Sequence, residues 1–125
     1  MLLKNSEINR KKVYIMQKIE INNVLKTGLP LYEMMKLWNL EGKYTNIDIS
    51  VINLLPGNRV PTGDGFSCHD ADEYSVFVSG EVYTESGDYK DVCKAGEATL
   101  IPKGEKHWCE NRTDKPCTIV CVMAK

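Results

Sequence analysis

The stretch Gly96–Asn111 reads GEATLIPKGEKHWCEN and carries the strongest structural signal in the chain. Its two glycines, proline, histidine and asparagine stand at the offsets that a strand, a tight turn and a return strand require. Glycine tolerates the positive φ of such turns, and proline restricts its own φ within them. The stretch therefore predicts a β-hairpin whose return strand begins at His107.

A second informative stretch, Ser67–Gly80, reads SCHDADEYSVFVSG. It places His69 four residues before Glu73, and Gly80 follows seven residues later at the end of an apolar run. Residues two apart on a strand face the same side, so Ser67 and His69 are expected to point together. Glu73 can join them after a turn or bulge in the intervening Asp-Ala-Asp segment.

These two stretches predict the halves of one metal site. The chain contains two histidines, and both fall in these stretches. Neutral imidazole nitrogen and carboxylate oxygen suit Zn, Fe, Mn, Ni or Co, and two histidines with one carboxylate are associated with non-haem Fe(II) sites that keep open positions. We therefore predict one divalent transition-metal ion bound by His69, Glu73 and His107. The ligand types alone do not identify the metal.

Both stretches closely resemble the two signature motifs of the cupin superfamily. The second motif, in the order G, five residues, P, one residue, G, two residues, H, three residues, N, is matched at every position. The first motif is matched at its second histidine, its glutamate and its final glycine by His69, Glu73 and Gly80. It departs at two positions, since Ser67 stands where the first histidine belongs and Pro61 where the first glycine belongs. The residues that match the second motif are Gly96, Pro102, Gly104, His107 and Asn111.

The resemblance covers about residues 47–123 and implies an all-β cupin-like double-stranded β-helix, or jelly-roll barrel. Many short strands at close spacing independently indicate a β-sandwich or barrel. We expect residues 1–15 to form a flexible N-terminal arm and residues 16–125 to form a single barrel domain. The resembling sites usually have three histidines and one glutamate. Because a hydroxyl is a poorer ligand than imidazole, Ser67 implies a metal that is held less tightly or is more open.

Several interpretations of this site stay open from the sequence. Ser67 either leaves an extra position for a substrate or hydrogen-bonds a water that completes the shell. Asp64, in the preceding loop, could supply an oxygen ligand, although loop acids are usually solvated. Alternatively, His69 and His107 are hydrogen-bonded interior groups of a barrel that has lost its metal.

Other residues are expected to line the pocket or to satisfy backbone groups. Phe77, and with it Ser75, shares the strand face of Glu73 and is expected to line the pocket. Cys109 lies two residues after His107, so it is a candidate for the pocket wall or a soft ligand, and otherwise packs in the core. Asn111 is expected to satisfy backbone groups rather than to touch a substrate.

Composition limits the class of protein. A chain of 125 residues fits one domain with a real core, and its 16 basic and 17 acidic residues are mixed along the chain without a basic block. No apolar stretch approaches the length of about 20 residues that a bilayer requires, and the N-terminus is too polar for a secretory signal. We therefore expect a soluble, cytoplasmic protein without a nucleic-acid or membrane partner. The five cysteines form no Cys-x-x-Cys pair, which argues against a disulfide framework.

The N-terminal part carries weaker signals. Met16 begins a strand-like run, which suggests the hypothesis that translation starts there; an intact natural protein whose mass includes residues 1–15 would contradict it. Four apolar residues after Pro30 recur at helical spacing and predict a short amphipathic helix, whereas the resemblance implies a strand. These residues are Leu31, Met34, Met35 and Trp38.

The middle of the chain is clearer. Ile47, Ile49 and Val51 alternate with polar residues, as in a half-buried strand. Residues 57–65 hold two clusters of proline or glycine and are predicted to form a loop that leads into the first motif.

The sequence supports three functional hypotheses. The resemblance implies a metal-dependent enzyme acting on a small polar metabolite by isomerase, lyase or dioxygenase chemistry. A second hypothesis is a non-catalytic barrel that binds or senses a small molecule, and a third is a metal-free structural barrel acting through dimer contacts. Because standalone proteins with this resemblance are commonly dimers and sheet edges need cover, a homodimer is expected. Fold alone does not choose among these functions.

Overall fold

The computed structural model describes residues 15–24 and 34–125. Residues 1–14 of the predicted arm, and Leu31 of the predicted helix, lie outside the described residues. The described residues form nine strands and one four-residue helix. In chain order these elements are β1 (Gln17–Glu20), α1 (Ile21–Val24), β2 (Ile47–Leu54), β3 (Arg59–Val60), β4 (Asp72–Ser79), β5 (Glu81–Ser86), β6 (Tyr89–Lys94), β7 (Glu97–Ile101), β8 (His107–Glu110) and β9 (Cys117–Ala124).

The strands form two antiparallel sheets. The order is β1-β7-β4-β9-β2 in a five-stranded sheet and β3-β8-β5-β6 in a four-stranded sheet. Strands that are neighbours in space are often distant in the chain, as where β4 lies between β7 and β9. The nearly all-strand content and this antiparallel arrangement confirm the predicted jelly-roll β fold.

The core consists of side chains that alternate along the strands and point between the sheets. On β9, Cys117, Ile119 and Cys121 are buried at every second position. Phe77 of β4 and Val82 of β5 join this cluster from the two sheets. Each large apolar side chain removed from water contributes roughly 2 kcal/mol, so this period of two stabilises the face-to-face packing.

Gly80 connects β4 to β5 where two backbone segments approach each other closely. Its φ is +75°, and a Cβ built on it would lie 2.4 Å from the carbonyl oxygen of Pro116 and 2.8 Å from the Cα of Cys117. The predicted turn with positive φ at this position is therefore present, and the close approach is a second reason for glycine.

Asn111 ties together the segments around the end of β8. Its side chain is fully buried, and its amide nitrogen donates to the carbonyl oxygens of Leu54 at 2.9 Å and Lys115 at 2.7 Å. Its side-chain oxygen accepts from the backbone nitrogen of Thr113 at 2.9 Å. Asn111 thus satisfies backbone groups, as its sequence position predicted, and lies away from the pocket.

Two predictions of local structure differ from the fold. Residues 34–38 form neither helix nor strand, and Met34 is 83% exposed. The helical spacing was misleading, because among the described residues of this group Trp38 alone packs on the sheet, with its ring edge against Tyr74. The predicted loop at 57–65 contains the short strand β3, which pairs with β8. A two-residue strand has too little periodicity to be recognised in sequence.

The facing of β2 is also opposite to the simplest interpretation of its alternation. Ile47, Ile49 and Val51 are all exposed, while Ser50 and Ile52 line the space between the sheets. Alternation distinguishes the two faces of a strand but does not say which one meets the opposing sheet. The result is an apolar row on the outer face of the five-stranded sheet.

Candidate metal centre

Three side chains with metal-binding atoms converge between the sheets. His69 precedes β4, Glu73 lies near the start of β4, and His107 is the first residue of β8. One ligand atom from each residue lies within 4.8 Å of the others. Glu73 Oε1 is 3.6 Å from His69 Nε2, and Glu73 Oε2 is 3.8 Å from His107 Nε2. The fold therefore brings together the three residues predicted to bind metal.

A backbone contact orients the His107 ring. Its Nδ1 lies 2.9 Å from the carbonyl oxygen of Glu105. Because a carbonyl oxygen can only accept, Nδ1 is the donor in this contact, and Nε2 is the ring nitrogen that faces Glu73. Metal-binding histidines are commonly held in this way, with the second ring nitrogen donating to a carbonyl or carboxylate.

The turn of the second motif also holds the first motif in place. The Gly104 backbone nitrogen donates to the His69 carbonyl oxygen at 3.0 Å. The neighbouring Lys103 backbone nitrogen donates to Asp72 Oδ1 at 2.8 Å, and the other Asp72 oxygen accepts from the Tyr44 hydroxyl. The spacing of the motif glycine predicts the shape of the hairpin alone, and this connection between the two halves of the site is seen only in the structure.

Ser67 pairs with His107 in an isolated antiparallel β-bridge. The Ser67 nitrogen donates to the His107 carbonyl at 2.8 Å, and the His107 nitrogen donates to the Ser67 carbonyl at 2.9 Å. Ser67 and His69 both line the same cavity, as predicted. Asp64 is exposed and lies outside the three-residue cluster.

The cluster lies in a cavity of about 220 Å³ between the two sheets. Phe77, Ser75 and Cys109 line it, as predicted. The lining residues that were missed include Met16 before β1, Thr84 on β5 and Cys121 on β9. The signal for Cys121 was its place two residues after Ile119, whereas nothing local relates Met16 to a site formed some 50 residues later.

The two cavity thiols are neutral in the metal-free protein at neutral pH. Burial, together with the charge of the nearby Glu73 carboxylate, raises the pKa of Cys109 to about 12. Burial and the same carboxylate raise the pKa of Cys121 to about 11. In this state both residues act as cavity wall, which agrees with the packing interpretation of Cys109.

The donor set fits a divalent transition metal. Bonds of about 2.0–2.2 Å place the ligands of one ion about 3–3.6 Å apart, only slightly closer than the 3.6 and 3.8 Å contacts of Glu73 with the two imidazoles. His69 and His107 would supply Nε2, Glu73 would supply carboxylate oxygen, and all three residues line the cavity.

The match to a known family covers the same part of the chain. A family model described as the cupin domain matches residues 51–123, a span that contains both motifs and the whole three-residue cluster. The chain belongs to the cupin family. Cupins often bind a metal ion, and the His/Glu cluster of this cupin is a possible site for one.

Solved structures support the same fold. The TT1209 protein from Thermus thermophilus is 24% identical with a TM-score of 0.55, over 62% of this cupin and 71% of that chain. A predicted oxalate decarboxylase from Thermotoga maritima is 23% identical with a TM-score of 0.54, over 61% of this cupin and 64% of that chain. DMSP lyase DddQ from Ruegeria pomeroyi is 19% identical with a TM-score of 0.55, over 63% of this cupin and 38% of that chain. The matched regions thus span less than two thirds of the latter two chains, and at these identities the likeness shows the fold.

No curated protein matches the chain. Among the described residues, none of the helices has the length and apolar character needed to cross a bilayer.

Proposed function

We propose that this cupin holds one divalent transition-metal ion through His69, Glu73 and His107 and uses it on a small molecule in the cavity. The observation that carries the proposal is the orientation of His107, whose Nε2 is directed at the Glu73 carboxylate by the Glu105 carbonyl. Two of the similar structures are described as a predicted oxalate decarboxylase and a DMSP lyase, and these descriptions are consistent with lyase chemistry on small molecules. The proposal includes isomerase and dioxygenase chemistry at this site as alternatives to lyase chemistry.

The chain's own residues would bind and orient the ligand and exclude water from it. A bound divalent metal supplies Lewis acidity towards an oxygen group of the ligand. The Glu105 carbonyl keeps the His107 ring in place, and the Gly104 contact keeps His69 in place. Ser67 offers a hydroxyl beside His107, where it can hydrogen-bond to a ligand without competing as a strong metal ligand.

A second candidate function is ligand binding without turnover. Apart from the three metal-binding residues and the two thiols, the described residues lining the cavity contain no titratable side chain. Both thiols have raised pKa values, so neither is an efficient general base at neutral pH. Incubating the metal-loaded protein with a bound ligand distinguishes the two functions. A consumed ligand supports the enzyme, and quantitative recovery of unchanged ligand supports the binding protein.

Ser67→His is expected to tighten metal binding by at least tenfold. The substitution restores the third histidine of the motif next to His107, and imidazole is a better ligand than a hydroxyl for these metals. Competition against a chromophoric zinc chelator measures the affinity. Ser67→Ala is the matched control and should bind the metal as the wild type does. An affinity for Ser67→His equal to or below that of the wild type, with an unchanged melting temperature of the metal-free protein, would contradict this role of position 67.

We further propose that the protein partner is a second copy of this chain. Within the described structure, β2 is an edge strand whose Ile47, Ile49 and Val51 side chains are 60%, 72% and 67% exposed. Val76 lies in the same outer row, because Val51 and Val76 both pair with Val120. A long apolar edge strand invites pairing with another chain. Packing of this outer face against the same face of a second copy would bury the apolar row, with β2 at the centre of the contact.

Ile49→Asp is expected to convert a dimer to a monomer. In the dimer, a carboxylate at the centre of the apolar row would be buried without an ion-pair partner, so the dimer should weaken by at least tenfold. Sedimentation velocity at micromolar concentration measures the change. Val92→Asp is the control, because Val92 is 41% exposed on the outer side of the other sheet and should leave the dimer intact. A monomeric wild-type protein would rule out the second copy as the occupant of this face.

A further inference from the structure

We infer that the cavity takes a molecule with an apolar body about the size of one ring and a single oxygen-bearing head group that carries at most one negative charge. The inference names the class of ligand for the proposed metal site and rests on that proposal. It follows from three independent properties of the cavity: its walls, its charge and its volume.

The walls of the cavity away from the metal cluster are mainly apolar, although five lining residues carry hydroxyl groups. Its neutral hydroxyls include those of Ser75 and Thr84, which hydrogen-bond to the thiols of Cys121 and Cys93. The rest of the surface is mainly aliphatic and aromatic, so a ligand body in contact with it gains from being apolar. The side chains that provide this surface include Ile52, Val60, Phe77, Val82, Ile101 and Ile119.

The charge of the site limits the charge of the ligand. A divalent ion with two neutral imidazoles and the Glu73 carboxylate carries one net positive charge, which one negative charge on the ligand neutralises. The described residues that line the cavity include no lysine or arginine. Arg59, on β3, donates to the carbonyls of Pro61 and Gly65 and stacks over Trp108 at 4.4 Å. A second anionic group would therefore be buried without a cation, which is costly.

The volume limits the ligand to one ring or a short branched chain. An apolar cavity of about 150 Å³ holds one benzene molecule. The 220 Å³ of this cavity therefore accommodates one ring with a small head group. A nucleotide-linked sugar or a fused polycyclic molecule would not fit inside it.

Hydroxamates test the apolar body, because they share one metal-binding head group on different bodies. We expect benzohydroxamate to bind the zinc-loaded protein at least tenfold more tightly than acetohydroxamate, measured by isothermal titration calorimetry. Equal affinities for the two in metal-loaded protein would overturn the inference.

The limit on charge is tested with a second pair of probes that are matched in size. We expect 4-carboxybenzohydroxamate to bind at least tenfold more weakly than 4-carbamoylbenzohydroxamate. Val60→Lys places a cation on the cavity wall and should reduce that difference at least fivefold, whereas the uncharged Val60→Met should not. Tighter binding of the carboxylate by the wild type would overturn the inference, whether or not Val60→Lys folds.

A third measurement separates this inference from the proposed metal. If the protein takes up no transition metal even after reconstitution, the proposed function fails, and the apolar cavity is then tested with toluene by ligand-observed NMR on the metal-free protein. Saturable binding of toluene supports the apolar body without the metal. Absence of toluene binding to the folded, metal-free protein would overturn it.

Discussion

His107→Ala is expected to reduce the bound metal from near one equivalent per chain to less than a tenth. The substitution removes one of three ligands, and it is the ligand whose orientation is held by the Glu105 carbonyl. Elemental analysis of untagged protein, purified without added metal or chelator, measures the change beside the wild type. Cys109→Ala is the matched control on the same strand, because its neutral thiol forms part of the wall, and it should retain the metal.

The result distinguishes between the functional hypotheses and also tests which residues bind the metal. A transition metal that is present in the wild type and lost in His107→Ala would establish the site and direct the search for substrates towards the chemistry of that metal. A wild type that takes up no metal even after reconstitution would exclude the metal-dependent enzyme and favour a binding barrel. Undiminished metal in a folded His107→Ala variant would show that the ion is held elsewhere. The Ser67 bridge uses only backbone atoms of His107, so the variant should keep its fold.

Gly80→Ala is expected to destabilise the protein by about 3 kcal/mol or more. A side chain at a φ of +75° costs roughly 1–2 kcal/mol, and overpacking adds about 1–3 kcal/mol. Here the added Cβ meets the backbone of Pro116 and Cys117 at 2.4 and 2.8 Å, and backbone atoms cannot rotate away as the end of a flexible side chain can. Urea unfolding followed by circular dichroism measures the loss as a lower midpoint with an unchanged slope.

Gly63→Ala separates the two causes of that loss. Gly63 has a φ of +88°, but a Cβ built there meets nothing within 4 Å. It should therefore lose only the conformational part, about 1–2 kcal/mol. Equal losses in the two variants would mean that the close approach at Gly80 has no energetic consequence.

Local patterns predicted most of the secondary structure. The return strand begins at His107 as predicted, and the turn glycine at Gly80 has the positive φ expected of it. Such features depend on a few neighbouring residues, because turn chemistry and the period of two are local properties of the chain. The two motifs also identify His69, Glu73 and His107 as candidate ligands, since the donor atoms of a site are a property of residue type.

Properties that depend on which strands meet were not predictable in this way. Ile49 and Ile52 are both apolar and lie on opposite faces of one strand. Ile49 is exposed, whereas Ile52 faces the cavity. The choice depends on the sheet that packs against β2, and that sheet is formed by residues far along the chain. The same applies to Met16, which reaches the cavity because β1 pairs with β7 at the far edge of the sheet.

The chemistry of the site and the character of its cavity thus have different origins. The kinds of ligand atom, the hairpin and the family follow from the residues at fixed spacings in the two motifs. The apolar walls, the neutral thiols, the orientation of His107 and the exposed apolar row of β2 arise from contacts between distant segments. Burial and hydrogen bonding in those contacts depend on the register and facing of strands, which are set when the two sheets pack together.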